Sequence, residues 1–230
     1  MTAAVALLPM KGHSERVPNK NVRPLVGQPL FYYVADTLLK AGLFECLCIN
    51  TDSEQIASLA SARYPRGWLV IHERPESLCG DDVPMNRIIE NDLERLKGAS
   101  RFLQTHSTNP FVTIETYGSA LAQYIAARDA GHDSLFSVTE YKARFYDHKF
   151  IPINHDPRYL QKTQDLPPLY EENSCFYAFS YDSFAKFKNR IGASPDHFIT
   201  LAGSYEFLDI DTEEQWRLAE FLTAGKRYQV

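Results

Sequence analysis

Ala3-Ala4-Val5-Ala6-Leu7-Leu8-Pro9 is a short apolar run, and it empties into Met10-Lys11-Gly12-His13-Ser14-Glu15-Arg16-Val17-Pro18-Asn19-Lys20-Asn21. An apolar run of this length stopped by proline reads as a buried strand. A polar loop at the carboxyl end of such a strand is where open α/β sheets bind ligands. The alternation then repeats. Residues 46–50, 68–71, 102–104, 135–138, 175–179 and 207–210 read as further strands, and residues 30–39, 84–96, 114–127, 183–187 and 213–222 as helices. In the 84–96 segment Met85, Ile88, Ile89, Leu93 and Leu96 share one helical face. Thr51-Asp52-Ser53-Glu54-Gln55 reads as a helix start, with Asp52 as the cap and Gln55 at the capping-box position. Strands alternating with helices predict an α/β sandwich around a mostly parallel sheet.

The rhythm breaks over residues 140–173, which hold Pro152, Pro157, Pro167 and Pro168 among many tyrosines, lysines and aspartates. This segment reads as an arm or lid inserted into a single domain spanning residues 1–230. The chain has 24 Lys and Arg against 29 Asp and Glu, a net charge of −5, and is 44% hydrophobic. That balance excludes a disordered chain. It also argues against a general nucleic-acid or membrane-surface binder, while leaving room for a local cationic site. Four scattered cysteines are too few for a disulfide scaffold at this length. No apolar run approaches the ~20 residues of a membrane span. The first eight residues lack the basic start of a signal peptide and read as a strand, so a cytoplasmic protein is expected.

Two constellations carry the chemistry. The Lys11–Asn21 loop holds three cations, a glycine and a serine. Glycine lets backbone N–H groups approach an anion and the cations neutralise it, so the loop is a triphosphate cradle or a charged surface loop. It is not a Walker A loop, and Gly12-His13-Ser14-Glu15-Arg16 lacks the second glycine of a hydrolase elbow. Asp209-Ile210-Asp211 places two carboxylates on one face of a strand end. With phosphate oxygens they form a ligand set for Mg²⁺; alternatively they end a solvated strand and cap the last helix. Two polar loops, Arg74 to Asp82 and Gln104 to Pro110, sit where the sheet's ligand side is expected.

The sequence resembles the acylneuraminate (CMP-sialic acid) cytidylyltransferases almost end to end. Pro9-Met10-Lys11-Gly12-His13-Ser14 with Pro18-Asn19-Lys20-Asn21 is similar to the family's P-A-R-G-G-S-K-x-x-P-x-K-N signature. Thr51-Asp52-Ser53-Glu54-Gln55-Ile56-Ala57 is similar to T-D-S-E-x-I-A, and Arg74-Pro75, Leu78 and Asp81 to R-P-x-x-L-x-x-D. Thr108-Asn109-Pro110 and Asp209-Ile210-Asp211-Thr212-Glu213-Glu214 resemble T-[SN]-P-L and the closing D-I-D-T-x-E.

The resemblance implies a Rossmann-like three-layer sandwich of the nucleotide-diphospho-sugar transferase type, with a dimerisation arm. It also implies transfer of CMP from CTP to a nonulosonic acid with release of pyrophosphate. On this reading Lys11, Lys20 and Asp211 are catalytic. Lys11, Gly12, Ser14, Arg16, Lys20, Asn21, Arg74 and Asp81 bind nucleotide. His106, Thr108, Asn109, Arg144, Lys162, Gln164, Glu172 and Asn173 contact the sugar, with Arg158 as a further cation for its carboxylate. Asp209 and Asp211 hold Mg²⁺, with Asp211 also helping to deprotonate the sugar hydroxyl, and the protein is a homodimer. Lys11 stands where the family has arginine, Glu15 where it has lysine, and His106 where it often has glutamine. Arg16 in turn matches the S-x-R-x-P-x-K pattern of the 3-deoxy-manno-octulosonate enzymes. Transfer to that sugar or to a sugar-1-phosphate, or nucleotide binding with weak catalysis, are the competing functions.

Overall fold

The computed structural model describes residues 4–96, 98–200 and 205–227. In chain order the strands are β1 (Ala4–Leu7), β2 (Pro24–Leu25), β3 (Gln28–Pro29), β4 (Phe44–Thr51), β5 (Leu69–Glu73), β6 (Arg101–Thr105), β7 (Ser134–Tyr141), β8 (Leu169–Ser180) and β9 (Pro195–Thr200). The helices are α1 (Leu30–Ala41), α2 (Glu54–Arg63), α3 (Met85–Arg95), α4 (Ile114–Asp129), α5 (Tyr181–Phe187) and α6 (Glu213–Arg227).

Seven strands form one sheet in the order β5-β4-β1-β6-β8-β7-β9. Every pairing in it is parallel except the two made by β8, which runs antiparallel between β6 and β7. All four residues of β1 are buried, as a central strand covered on both faces requires. Its alternate side chains divide between two cores. Ala4 and Ala6 join α1, α2 and α4, while Val5 and Leu7 join Ile89 and Leu93 of α3 and Phe184 of α5. These are the three layers. A third cluster docks α6 through Trp216 and Ala219 onto Val17, Leu25, Leu30 and Ile210.

The structure corrects four readings. Residues 207–210 are not a strand: they run irregularly, tied by the Ile210 N–H to the Thr108 carbonyl at 2.9 Å. Ser53, not Asp52, caps α2, its side chain accepting from the Ile56 N–H at 3.3 Å. Asp52 is drawn away because its carboxylate takes the Gly12 N–H at 2.6 Å. Strand β9 went unread because its sequence, Pro-Asp-His-Phe-Ile-Thr, has a proline and two polar residues ahead of its apolar pair. Finally, residues 140–173 are not wholly an insertion. Glu140 and Tyr141 still pair with Tyr170 and Leu169, so the excursion proper is residues 142–168 and its flanks are one long hairpin.

Replacing Ser53 by alanine removes the α2 cap and is expected to cost about 1 kcal/mol in urea unfolding. Asp52→Ala leaves that cap in place, so the Ser53 variant is expected to show the larger loss of helix-linked stability.

Candidate active site

The carboxyl ends of β1, β5 and β6 open into a cleft of about 300 Å³ bordered by Met10, Lys11, Arg16, Lys20, Asn21, Arg74, Asp81, His106, Ser107, Thr108, Asp209 and Asp211. A second cleft, about 240 Å³, is bordered by Tyr141, Glu171, Glu172, Asn173, Ser174, Leu208, Asp209 and Gln215. Asp209 borders both.

The loop after β1 turns sharply at Asn19, whose φ of 54° suits a residue that tolerates the left-handed region. The turn brings the Lys20 ammonium to the Ile210 carbonyl at 2.7 Å and to Asp211 Oδ1 at 2.8 Å. Arg16 reaches the same carboxylate oxygen at 3.0 Å. Asn21 is spent on bracing: its amide donates to the Lys11 carbonyl at 2.8 Å, and its oxygen accepts from Ser107 at 2.6 Å. Gly12 is needed for a close approach, since a Cβ there would stand 2.9 Å from Ser53 Cβ. Its N–H is taken by Asp52, so it is not presented to an anion, and neither Gly12 nor Ser14 borders the cleft. Lys11 and Asp81 form an ion pair with each other.

The two aspartates are tuned in opposite directions. Burial raises the Asp209 carboxyl and the Asp211 charge adds to this, against a hydrogen bond from Thr108. One of its oxygens, Oδ1, is buried with no hydrogen-bond partner among the described residues. Burial also pushes Asp211 up, but the hydrogen bond and charge of Lys20, with Arg16, outweigh it and hold the carboxyl below its ordinary value. Asp211 is free to face the cleft because Thr212 is the residue that pairs with Gln215 at the start of α6. Gln215 Oε1 takes the Asp211 and Thr212 N–H groups at 2.8 Å each, and Thr212 Oγ1 takes the Gln215 N–H at 3.3 Å. A hard oxygen pair with one orphaned buried oxygen fits a Mg²⁺ ion completed by phosphate and water.

Of the other expected sugar contacts, Glu172 and Asn173 border the second cleft, and His106 and Thr108 the first. Asn109 does not reach either: it is fully buried, with its amide 3.4 Å from the Leu208 carbonyl. Arg144, Lys162 and Gln164 border neither cleft; Arg144 donates to the Gln161 carbonyl at 2.5 Å. Arg158 pairs with Asp156 at 2.6 Å.

A half-buried cation that sequence reasoning missed is Arg190, which borders neither cleft but acts on His106 through Gln104. It lies 3.5 Å over the Tyr177 ring and donates to Gln104 Oε1 at 2.5 Å. In sequence it sits in Lys186-Phe187-Lys188-Asn189-Arg190, which reads as an exposed charged end, and nothing in spacing ties it to Gln104. Because guanidinium only donates, it fixes the Gln104 amide with its oxygen toward Arg190. The Gln104 Nε2 then donates to His106 Nε2 at 3.0 Å, which makes that nitrogen the unprotonated one. Burial, followed by the Arg190 and Lys20 charges, lowers His106 to about 3 against Asp211's opposing pull.

Unfolded His106 takes a proton as pH falls through 6.5, whereas the folded residue waits until about 3. Its contribution is present above 6.5 and lost as pH falls through that window, by up to about 1.4 kcal/mol per pH unit. Urea unfolding between pH 6.5 and 4 is expected to give a flatter acid limb for His106→Gln than for the native protein. Parallel limbs would refute the neutral assignment.

Comparison with known proteins identifies the family and the fold. A family model described as cytidylyltransferase matches residues 5–217. The chain is 26% identical over 229 residues to the CMP-N,N′-diacetyllegionaminic acid synthase of Legionella pneumophila, covering 95% of each. It is 23% identical over 183 residues to the pseudaminic acid cytidylyltransferase of Campylobacter jejuni, covering 75% of this chain and 76% of that one. A solved CMP:2-keto-3-deoxy-manno-octonic acid synthetase complexed with CTP superposes with a TM-score of 0.71 at 14% identity, over 98% of this chain and all of that one. The fold is therefore theirs, and the chain belongs to the cytidylyltransferase family of nucleotidyltransferases.

Proposed function

We propose that the protein transfers CMP from CTP to a nonulosonic acid. The observation that carries this is the shared carboxylate: Asp209 borders both a cleft supplied with Lys11, Arg16, Lys20 and Arg74 and a polar cleft walled by Glu172, Asn173 and Ser174. The cationic cleft suits a triphosphate and the polar one a hydroxyl-rich sugar, with the reacting atoms meeting where they join. Relatives named for pseudaminic and N,N′-diacetyllegionaminic acid support a sugar of this class.

In the reaction the sugar's anomeric oxygen forms a bond to the α-phosphorus, the bond to the β-phosphate oxygen breaks, and pyrophosphate leaves. Such a step needs positioning and charge neutralisation above all. Lys20 and Arg16 are the cations nearest the joint, and Lys11, now paired with Asp81, lies at the same cleft. Asp209 and Asp211 would hold Mg²⁺, which supplies charge neutralisation on the phosphates. The Lys20 and Arg16 pairs hold the Asp211 carboxyl below its ordinary value and keep it ionised at the joint of the clefts.

The excursion exposes Phe150 at 84%, Leu160 at 93% and Tyr159 at 67%. Apolar side chains concentrated this way favour a partner, and we assign a second copy of the chain. No helix among the described residues is long and apolar enough to cross a membrane.

Pyrophosphate release should be measured with Mg²⁺, crossing the four nucleoside triphosphates with N-acetylneuraminate, legionaminate, pseudaminate and 3-deoxy-manno-octulosonate. Release is expected with CTP and a nonulosonic acid. Release only with the octulosonate, or CTP binding without turnover on any sugar, would replace this reading by one of its competitors. Asp211→Ala is expected to lower kcat by about 10² or more, and a near-native rate would remove its assigned role. Phe150→Glu with Leu160→Glu is expected to turn a sedimenting dimer into a monomer.

A further inference from the structure

Beside the nucleotide cleft, four buried side chains with no role in the proposed reaction form a continuous series of contacts ending on Arg74. Cys48 and Asn50 alternate onto one face of β4, and the parallel register sets His72 of β5 beside Asn50. Helix α3 covers that face and contributes Asp92. Asp92 and Asn50 have no exposed surface, and His72 and Arg74 have 4% and 7%. Arg74 Nε donates to Asn50 Oδ1 at 2.8 Å, and Asn50 Nδ2 donates to Asp92 Oδ1 at 2.7 Å. His72 Nδ1 lies 2.7 Å from the same Asp92 oxygen, with Cys48 Sγ 3.2 Å behind it.

The direction of these bonds is forced. Arginine can only donate, so it requires the oxygen end of the Asn50 amide. With the amide oxygen on Arg74, the nitrogen end faces Asp92 and donates to its Oδ1. Held from both sides, Asn50 cannot flip. Arg74 is thereby anchored through Nε, while its Nη2 donates to the Met10 carbonyl at 3.1 Å and the Asn50 carbonyl at 2.9 Å. Nη1 is left without a hydrogen bond among the described residues, on a side chain that borders the cleft.

We propose that Asp92 is a positioning residue for the nucleotide: acting through Asn50, and completed by His72, it sets the Arg74 guanidinium that the nucleotide meets. This rests on the reading of the first cleft as the CTP site. The ligand atoms of Cys48, His72 and Asp92 also lie within 4.8 Å of one another, a set that zinc would accept. One fact favours the hydrogen-bonded assignment: Asp92 Oδ1 already has two nitrogen partners at hydrogen-bond distance.

The test is a steady-state comparison of Asp92→Leu, Asp92→Asn, Arg74→Ala and the Arg74→Ala/Asp92→Leu double variant. Asp92→Leu strands the Asn50 amide and is expected to raise the KM for CTP about tenfold while leaving kcat nearly unchanged. Asp92→Asn, which keeps an oxygen for Asn50, is expected to restore most of the loss. In the Arg74→Ala background Asp92→Leu is expected to add nothing to KM. A native KM in Asp92→Leu, or a full additional loss in the double variant, would overturn the proposal. If Asp92→Leu does not fold, Asn50→Ala breaks the same link and carries the same expectation. Arg74→Ala with native CTP affinity would instead overturn the assignment of the cleft. One equivalent of zinc in the purified protein, measured by elemental analysis, would overturn the proposal in favour of a metal centre.

Discussion

At the joint of the clefts one ammonium group ties the two ends of the chain, alongside the apolar docking of α6 and the Arg16–Asp211 pair. Lys20 Nζ bonds both the Ile210 carbonyl and Asp211, residues 190 and 191 positions away. Its side chain is only 12% exposed, so the charge has little water to fall back on and depends on these partners. The segment it grips has no strand to keep it in place. Beyond this grip it is fixed by the Ile210–Thr108 bond, by the burial of Ile210, and by the Thr212–Gln215 start of α6. The position of both carboxylates follows from these few contacts.

The same grip sets the two carboxylates in opposed environments. Asp211 sits against two cations and stays ionised; Asp209, two residues earlier, is more buried and is raised. Arg190 plays a comparable part behind His106. By fixing one glutamine amide it selects the form of His106.

Much of this was legible in the sequence, for a physical reason. Buried strands such as β1 and β4 must be apolar, and loops that bind anions need cations and glycine, so both leave local marks. Lys20, Asp209 and Asp211 were found because each lies in a short motif. Arg190, Asn50 and Asp92 were not, because their meaning lies in contacts across the sheet: Arg190 meets Gln104 from 86 positions away, and Asp92 meets Asn50 from 42. The arm cations Arg144, Arg158 and Lys162 misled for the converse reason: their charge is evident in sequence, but the fold does not turn it toward the clefts. Asp52 likewise looked like a cap and serves instead to receive the Gly12 N–H.

The hairpin of β7 and β8 has a consequence for how such a protein can diverge. The cationic cleft is built at the ends of parallel strands, whose long crossovers make each piece hard to replace. The polar cleft is walled by Glu171, Glu172, Asn173 and Ser174, which lie on the antiparallel strand directly after the excursion of residues 142–168. A change in the length or sequence of that excursion would alter the wall of the polar cleft without touching any parallel pairing. Lineages could thus exchange that wall by loop grafting and inherit the cationic half intact.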